Sequence, residues 1–174
     1  MSKDKKTTLM QELVKLAVFA ICVMFFVNCI IMLNIVPSAS MQPTIKVGDI
    51  TVSNCLSYLK DDPERGDVVI FKGEDGKTMV KRIIGLPNDV ISFVDGYVVI
   101  NGMVVEEEYI DDEIETNCGD TFVVPADCYF VMGDNRENSL DSRFFNQPYI
   151  SKSDIKAKLM FVIPTSDIIK NVNN

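Results

Sequence analysis

Three short polar segments carry the residue types that can do covalent chemistry. The first, residues 37–44, reads Pro-Ser-Ala-Ser-Met-Gln-Pro-Thr and begins where a long apolar run ends. Its two prolines restrict the backbone, which helps to fix the direction of a serine hydroxyl such as that of Ser40. The alternative is a serine-rich linker after a membrane anchor, and the segment taken alone favours that alternative.

The second segment, residues 79–89, contains the pair Lys81-Arg82 within a β-branched run. Successive side chains of a strand point to opposite faces, so we expect one of the two cations to face protein. A lysine among apolar neighbours loses the solvation that keeps it charged, and its pKa falls. Its neutral amine can then accept a proton from a serine hydroxyl. The alternative is an edge strand with two solvated cations.

The third segment, residues 133–143, follows a short apolar run and is rich in hydrogen-bonding groups. Its eleven residues include three carboxylates, two arginines, two amides and two hydroxyls. Such side chains can bond to one another and hold a catalytic group in place. A long polar connection between two strands explains the same composition equally well.

The 174 residues include no histidine, and this excludes whole classes of site. A Ser-His-Asp triad, a Cys-His pair and a zinc site with histidine ligands all require that residue. A proton transferred near neutral pH must therefore move through Lys, Asp, Glu, Tyr or Cys. A serine and a lysine are the simplest hydrolase pair left, although residue types alone do not show that Ser40 meets Lys81.

A membrane anchor is predicted ahead of these segments. Leu16 to Val36 is a run of 21 residues without a charge, and at 1.5 Å per residue it spans a hydrocarbon core of ~30 Å. A cleaved signal peptide is one alternative, but its apolar region is usually shorter. A buried core helix is another, but a helix apolar on every face is unusual in so small a domain.

Charge sets the predicted orientation of the anchor. Residues 1–15 carry four lysines against two acidic residues, in a chain whose net charge is −8. The positive-inside rule then predicts a cytoplasmic tail over 1–15, a transmembrane helix over 16–36 and an extracytoplasmic catalytic β domain over 37–174. The acidic balance argues against nucleic acid as a partner, because phosphate binding needs a basic surface.

After Val36 the pattern changes to short β-branched runs separated by Gly, Asp, Asn and Pro. Asp95-Gly96 and Asn101-Gly102 suit type I′ turns, which need a positive φ at both central residues. No helix of ordinary length is predicted in this region, apart from a turn or two around 151–156. The fold class is therefore mainly β, an antiparallel β-sheet domain preceded by one transmembrane helix. Strands are predicted over 68–71, 77–84, 90–94, 97–100, 103–107, 122–124, 129–132 and 157–163.

Two other features are interpreted as structural rather than functional. Residues 106–115 hold seven acidic side chains; a calcium site is the alternative, but the EF-hand spacing is missing, which favours a solvated loop. The five cysteines have neither the spacing of zinc ligands nor that of a disulfide framework. Cys118 and Cys128 are either half-buried thiols, which we favour, or a disulfide bridge.

Together the anchor and the segments resemble the bacterial Ser-Lys form of the type I signal peptidase family, the leader peptidase family. Residues 37–44 are similar to its nucleophile box, and Arg-Gly-Asp-Val-Val-Ile-Phe at 65–71 is similar to the strand box that follows. Val-Lys-Arg-Ile-Ile-Gly-Leu-Pro-Asn-Asp at 80–89 is similar to the general-base box, and residues 133–143 are similar to the final box. The four boxes occur in the family's order, and the resemblance covers nearly the whole chain.

The resemblance implies two catalytic residues, an oxyanion-hole residue and a supporting serine. Ser40 matches the nucleophile and Lys81 matches the general base. Ser38 matches the hydroxyl that forms the oxyanion hole together with the backbone N–H of Ser40. Ser139 matches the serine that hydrogen-bonds to the lysine and orients it.

Five further residues match supporting positions near the site. Asp141 matches a loop carboxylate that pairs with an arginine, which we expect to be Arg143. Arg82 and Asp134 match structural polar partners, and Met41 is expected to pack beside the active site. Two positions depart from the family pattern: Asn88 replaces glycine, and Glu137 replaces aspartate. Asparagine tolerates a positive φ and glutamate keeps the charge, so neither departure affects the expected chemistry.

The substrates implied are secretory preproteins, cut after a small residue that has another small residue two positions before it. They would bind as a strand added to a β edge, in a fold of two antiparallel sheets with an apolar surface near the lipid bilayer. No metal and no cofactor is expected. A self-cleaving Ser-Lys repressor is the runner-up enzyme, but such repressors are soluble and bind DNA. A membrane-tethered β scaffold is the alternative without an activity, and it would need neither Ser40 nor Lys81.

Overall fold

The computed structural model describes residues 3–110 and 114–165 of the chain. Within them it contains one long helix, α1, and eleven strands, together with 3-10 turns at Arg136–Asn138 and Lys152–Asp154. The elements are α1 (Lys3–Ile30), β1 (Ile31–Ile35), β2 (Ile50–Asn54), β3 (Val68–Lys72), β4 (Thr78–Gly85), β5 (Val90–Val94), β6 (Tyr97–Ile100), β7 (Met103–Val104), β8 (Phe122–Val123), β9 (Cys128–Met132), β10 (Ile150–Ser151) and β11 (Ile155–Ile163).

Helix α1 carries the apolar segment expected of a membrane anchor. Its stretch Met10–Val27 is long and apolar enough to cross a membrane, and none of it is buried inside the described structure. A core helix would be covered by protein, so the core-helix alternative does not fit. The helix ends earlier than the predicted span of 16–36, because Ile31–Ile35 form β1 and pair with β2 in antiparallel register.

The strands form two antiparallel sheets, which confirms the predicted fold class. The larger sheet has seven strands in the order β1-β2-β11-β3-β4-β9-β10, and the smaller has four in the order β7-β6-β5-β8. Buried residues of β4, β5, β6, β8 and β9 pack into one core that joins the two sheets. The chain thus builds one continuous β body from both sheets.

The turn chemistry predicted from sequence is confirmed. Asp95 and Gly96 have φ of 49° and 82°, and Asn101 and Gly102 have φ of 53° and 81°, as a type I′ turn requires. Asn88 adopts a φ of 70° in the loop that leads into β5, so this turn tolerates asparagine in the place of glycine.

Among the described residues, part of strand β4 in the larger sheet is paired on only one side. Strand β4 pairs with β3 along Thr78 to Arg82, whereas its pairing with β9 runs only from Arg82 to Gly85. Within the described part of the chain, Thr78 to Lys81 therefore have no strand on their second side. This leaves a short open edge beside Lys81.

Candidate active site

The structure brings Ser40 and Lys81 together from positions 41 residues apart in the chain, with 2.6 Å between Lys81 Nζ and Ser40 Oγ. Ser40 lies in the loop between β1 and β2, and Lys81 lies on β4. Lys81 is only 3% exposed, whereas Ser40 is half-buried. An amine and a hydroxyl at this distance can exchange a proton directly.

Burial alters the acid–base behaviour of the lysine. Loss of solvation lowers the pKa of Lys81 from 10.5 to about 8, while the charges of Asp141 and Asp134 oppose this shift. Desolvation dominates because it destabilises the ammonium form, and the two carboxylates offset only part of that effect. The amine is therefore neutral in part of the molecules at mildly alkaline pH, and it can act as a base there.

Buried apolar side chains hold the loop that carries Ser40. Met41, the next residue, is 1% exposed and packs with Val36, Ile45 and Val68. The backbone N–H of Ile45 donates to the Met41 carbonyl at 2.8 Å. Met41 thus lies beside the site, as the resemblance implied, and its burial limits how far Ser40 can move.

The loop after β9 contacts the nucleophile segment through its backbone. The backbone N–H of Asn135 donates to the Ser40 carbonyl at 3.1 Å, and the Asn135 side-chain amide donates to the Ala39 carbonyl at 3.1 Å. A Cβ added to Gly133 would overlap the Ser40 carbonyl oxygen and the Ser139 hydroxyl. Only a glycine permits this close approach, and sequence reasoning assigned no role to Gly133 or Asn135.

Asp141 and Arg143 form a buried ion pair, as the resemblance implied. Two bonds of 2.9 Å join Nε and Nη2 of Arg143 to the two oxygens of Asp141, and the side chains are 2% and 0% exposed. Asp141 also accepts from the backbone N–H of Gly133 at 3.0 Å. The pair therefore fixes the start of the loop that contacts Ser40.

Arg82 and Asp134 form a second two-pronged pair, with distances of 2.9 and 2.6 Å. Arg82 also donates to the Gly66 carbonyl at 2.9 Å. Both members of the Lys81-Arg82 pair thus face protein, although the sequence predicted this for only one of them. The larger sheet is covered on both sides at this point, so the alternation of side chains exposes neither cation.

The two remaining predicted serines are placed differently from each other. Ser38 is exposed and its hydroxyl lies 3.4 Å from that of Ser40. Ser139 is buried, and its hydroxyl makes no hydrogen bond to any described residue. The expected bond from Ser139 to Lys81 is therefore not formed, and Ser139 packs against Gly133 instead.

The acidic segment differs in part from a solvated loop. Glu106 and Glu108 are exposed, but Glu107 is half-buried and pairs with Arg136, while Asp111–Glu113 lie outside the described residues. Over 3–110 and 114–165, no group of acidic or cysteine side chains has the arrangement of a metal site. All five cysteines are free thiols, and Cys118 and Cys128 lie half-buried against the core that joins the two sheets.

Comparisons with known proteins show which family the chain belongs to. Residues 10–164 match the family described as signal peptidase, peptidase S26, and all four motif segments fall inside that range. Signal peptidase I of Leptolyngbya laminosa is 36% identical over 129 residues, which cover 69% of this chain. Signal peptidase IB of Staphylococcus aureus Mu50 is 30% identical over 186 residues, which cover 97% of this chain and 96% of the relative.

A solved structure supports the same assignment. The crystal structure of a signal peptidase I from Enterococcus faecalis V583 matches with a TM-score of 0.51 and 27% identity, over 57% of this chain and 98% of that one. This chain spans 62% of the length of the Leptolyngbya relative. From the extent of the sequence match and the shared fold, the chain belongs to the signal peptidase family, peptidase S26.

Proposed function

We propose that the chain is a membrane-anchored serine endopeptidase that removes signal peptides from secreted preproteins. Ser40 is the nucleophile and Lys81 is the general base. The observation that carries this proposal is the contact of 2.6 Å between Lys81 Nζ and Ser40 Oγ. The absence of histidine supports it, because histidine is the side chain whose ordinary pKa lies near neutrality and the chain contains none. A base that acts near neutral pH must then be a residue with a shifted pKa, as Lys81 is.

The reaction proceeds through an acyl-enzyme. Neutral Lys81 takes the proton of Ser40 as Oγ attacks the scissile carbonyl, and the resulting oxyanion accepts from the Ser40 N–H and the Ser38 hydroxyl. The Lys81 ammonium then protonates the leaving amine and becomes neutral again. Neutral Lys81 activates a water that hydrolyses the ester. Each donor to an oxyanion is typically worth about 10²–10³ in rate. The scheme uses neither a metal nor a cofactor.

Supporting residues keep the reacting groups in place. The pairs Asp141–Arg143 and Arg82–Asp134 hold the loop that bonds to the Ser40 backbone. For Ser139, the orientation of Lys81 stays a prediction from the resemblance, because its buried hydroxyl makes no hydrogen bond to any described residue. These residues hold Ser40 and Lys81 in place and do not contact the substrate.

The open edge of β4 supports a mode of substrate binding. An extended segment added along Thr78 to Lys81 would use the free backbone groups of that edge. In such a strand, alternate side chains face the same side. Two small residues, one at the cleavage position and one two positions before it, would therefore face the same protein surface beside Ser40.

Location at a membrane surface accounts for the exposed apolar side chains near α1. Leu33 and Ile35 on β1 are 65% and 71% exposed, and Phe161 on β11 is 53% exposed. These strands lie at the end of the sheet that α1 enters, so their side chains would contact the lipid bilayer. By the positive-inside rule, the lysines of residues 1–15 support a cytoplasmic N-terminus and a β body outside.

The test is cleavage of a purified preprotein by the full chain in detergent micelles, with the new N-terminus identified by mass spectrometry. We expect one cut after the small residue that ends the signal peptide. A matched preprotein with leucine at that position should remain intact, because the resemblance implies that only a small residue is accepted there. Failure to cut any of several preproteins would favour the tethered scaffold instead.

The pH dependence of cleavage tests the lysine base. Since Lys81 acts in its neutral form and its pKa is about 8, kcat/KM should rise with pH and level off above about pH 8. Below that value the rate should fall about tenfold per pH unit, because each unit reduces the neutral fraction tenfold. A rate that stays constant down to about pH 5 would exclude Lys81 as the base.

A further inference from the structure

A short irregular segment leads from the smaller sheet to the loop that contacts Ser40. This segment, residues 105–110, is called the strap here and follows β7. Its side chains alternate: Glu106 and Glu108 are exposed, whereas Glu107 and Tyr109 are half-buried. The segment turns at residues 108–110, where the backbone N–H of Ile110 donates to the Glu107 carbonyl at 3.0 Å. Glu107 and Tyr109 both lie against the body of the protein.

Glu107 binds a buried arginine. Its two oxygens accept from Nη1 and Nη2 of Arg136 at 2.9 and 2.6 Å, and the Arg136 side chain is 0% exposed. Arg136 also donates to Thr116 Oγ1 at 2.6 Å and to the Gly133 carbonyl at 3.1 Å. One guanidinium therefore connects the strap to Gly133.

Tyr109 reaches the other arginine next to this loop. Its ring lies 3.8 Å from Cζ of Arg82, the arginine that binds Asp134. Its hydroxyl donates to Glu107 Oε1. Gly133 and Asp134 are thus each held by an arginine, and each arginine is contacted by a different strap residue: Arg136 by Glu107 and Arg82 by Tyr109.

The consequence concerns the nucleophile. The Asn135 N–H bonds to the Ser40 carbonyl, so a shift of residues 133–135 displaces the backbone of Ser40. We propose that two residues of the strap position Ser40, Glu107 as the principal residue and Tyr109 as its support. This inference rests on the proposed function, since it assigns the strap to the rate of the same reaction.

Position is a better explanation of the Glu107–Arg136 pair than stability alone. A buried ion pair adds little to stability relative to apolar residues of the same volume, because both charges lose their hydration. A two-pronged arginine–carboxylate pair does fix geometry closely. A displacement of about 1 Å at a reacting group can lower a rate about 10²-fold.

The test compares Glu107→Gln with Glu108→Gln, which makes the same change of charge at an exposed neighbour. In preprotein cleavage we expect Glu107→Gln to lower kcat about 10- to 100-fold, with KM within about twofold of wild type. Glu108→Gln should retain the wild-type kcat. Equal kcat in the two variants would overturn the inference.

A double variant separates position from folding. Glu107→Gln alone leaves Arg136 buried and unpaired, which lowers the melting temperature. Glu107→Gln with Arg136→Gln removes both charges, so the melting temperature should recover while kcat remains low. Recovery of kcat together with the melting temperature would show that the pair serves only stability.

Hydrogen exchange provides a readout that needs no substrate. The amides of Gly133 and Asn135 donate to Asp141 and to the Ser40 carbonyl, and they should exchange faster in Glu107→Gln than in Glu108→Gln. If wild type cuts no preprotein, the proposed function fails, yet this comparison still decides the inference. Unchanged protection of both amides would overturn it.

Discussion

Ser40→Ala and Lys81→Met are each expected to lower kcat for preprotein cleavage by at least about 10⁴-fold, as the loss of a nucleophile or its base does in other serine proteases. Alanine removes the oxygen that attacks. Methionine keeps much of the volume of the lysine but cannot accept the proton of the Ser40 hydroxyl, whose oxygen lies 2.6 Å from Lys81 Nζ in wild type. The double variant should be no less active than either single variant, because the two residues act as one unit.

Stability measurements distinguish the loss of a catalytic group from a loss of activity caused by unfolding. The decrease in the pKa of Lys81 from 10.5 to about 8 corresponds to about 3 kcal/mol of free energy that opposes burial of the charged amine. Methionine carries no such cost, although it loses the bond to Ser40. Lys81→Met is therefore expected to raise the free energy of unfolding at pH 7 by about 2 kcal/mol.

The sign of the pH effect on stability follows from the same pKa. Between about pH 8 and 10.5 the folded chain has released a proton that the unfolded chain still binds. The free energy of unfolding of wild type should therefore rise with pH across this window, and that rise should be absent in Lys81→Met. Urea unfolding of both proteins at pH 7 and pH 10 checks this.

For the activity measurements, residual cleavage by Ser40→Ala would mean that the nucleophile is a residue other than Ser40.

Local patterns predicted much of the β body. The predicted bounds of β5 and β6, 90–94 and 97–100, match the observed strands. Their β-branched residues and the Asp95-Gly96 turn act over neighbouring positions, so the sequence contains the whole signal. The meeting of Ser40 with Lys81 is a long-range contact between a loop and a strand. Its assignment came from the resemblance, not from the spacing of residues.

Other features were not predicted for two reasons. Some sequence patterns fit both a helix and a strand, and some contacts join residues far apart in the chain. Ile31–Ile35 continue an apolar run, and composition alone does not distinguish the end of a helix from a strand there. Pairing with β2 decides the outcome, and β2 was itself not predicted. The bond between Glu107 and Arg136 joins positions 29 residues apart, so no local pattern reveals it. The prediction of a solvated acidic loop is therefore wrong at Glu107, which is bonded and half-buried.

Gly133→Ala is the second change with a large expected effect, at about a 10²-fold loss of kcat. The added methyl group would lie 2.6 Å from Ser139 Cβ and would overlap the Ser40 carbonyl oxygen. The Ser139 hydroxyl can rotate away, but the Ser40 carbonyl belongs to the backbone of the nucleophile. Ser139 Cβ and the Ser40 carbonyl move only with their own backbones, so we expect relief of the strain to displace Ser40 relative to Lys81.

Gly119→Ala is the matched control, because no atom lies within 4 Å of a Cβ built at that glycine. It should retain the wild-type kcat and melting temperature. Gly133→Ala should also lose about 1–3 kcal/mol of stability, as overpacked sites do, so kcat is compared at a temperature where both variants are fully folded. Wild-type kcat in Gly133→Ala would mean that the loop can move without moving Ser40. The bond from Asn135 to the Ser40 carbonyl would then not position the nucleophile, and the strap would have no route by which to affect the rate.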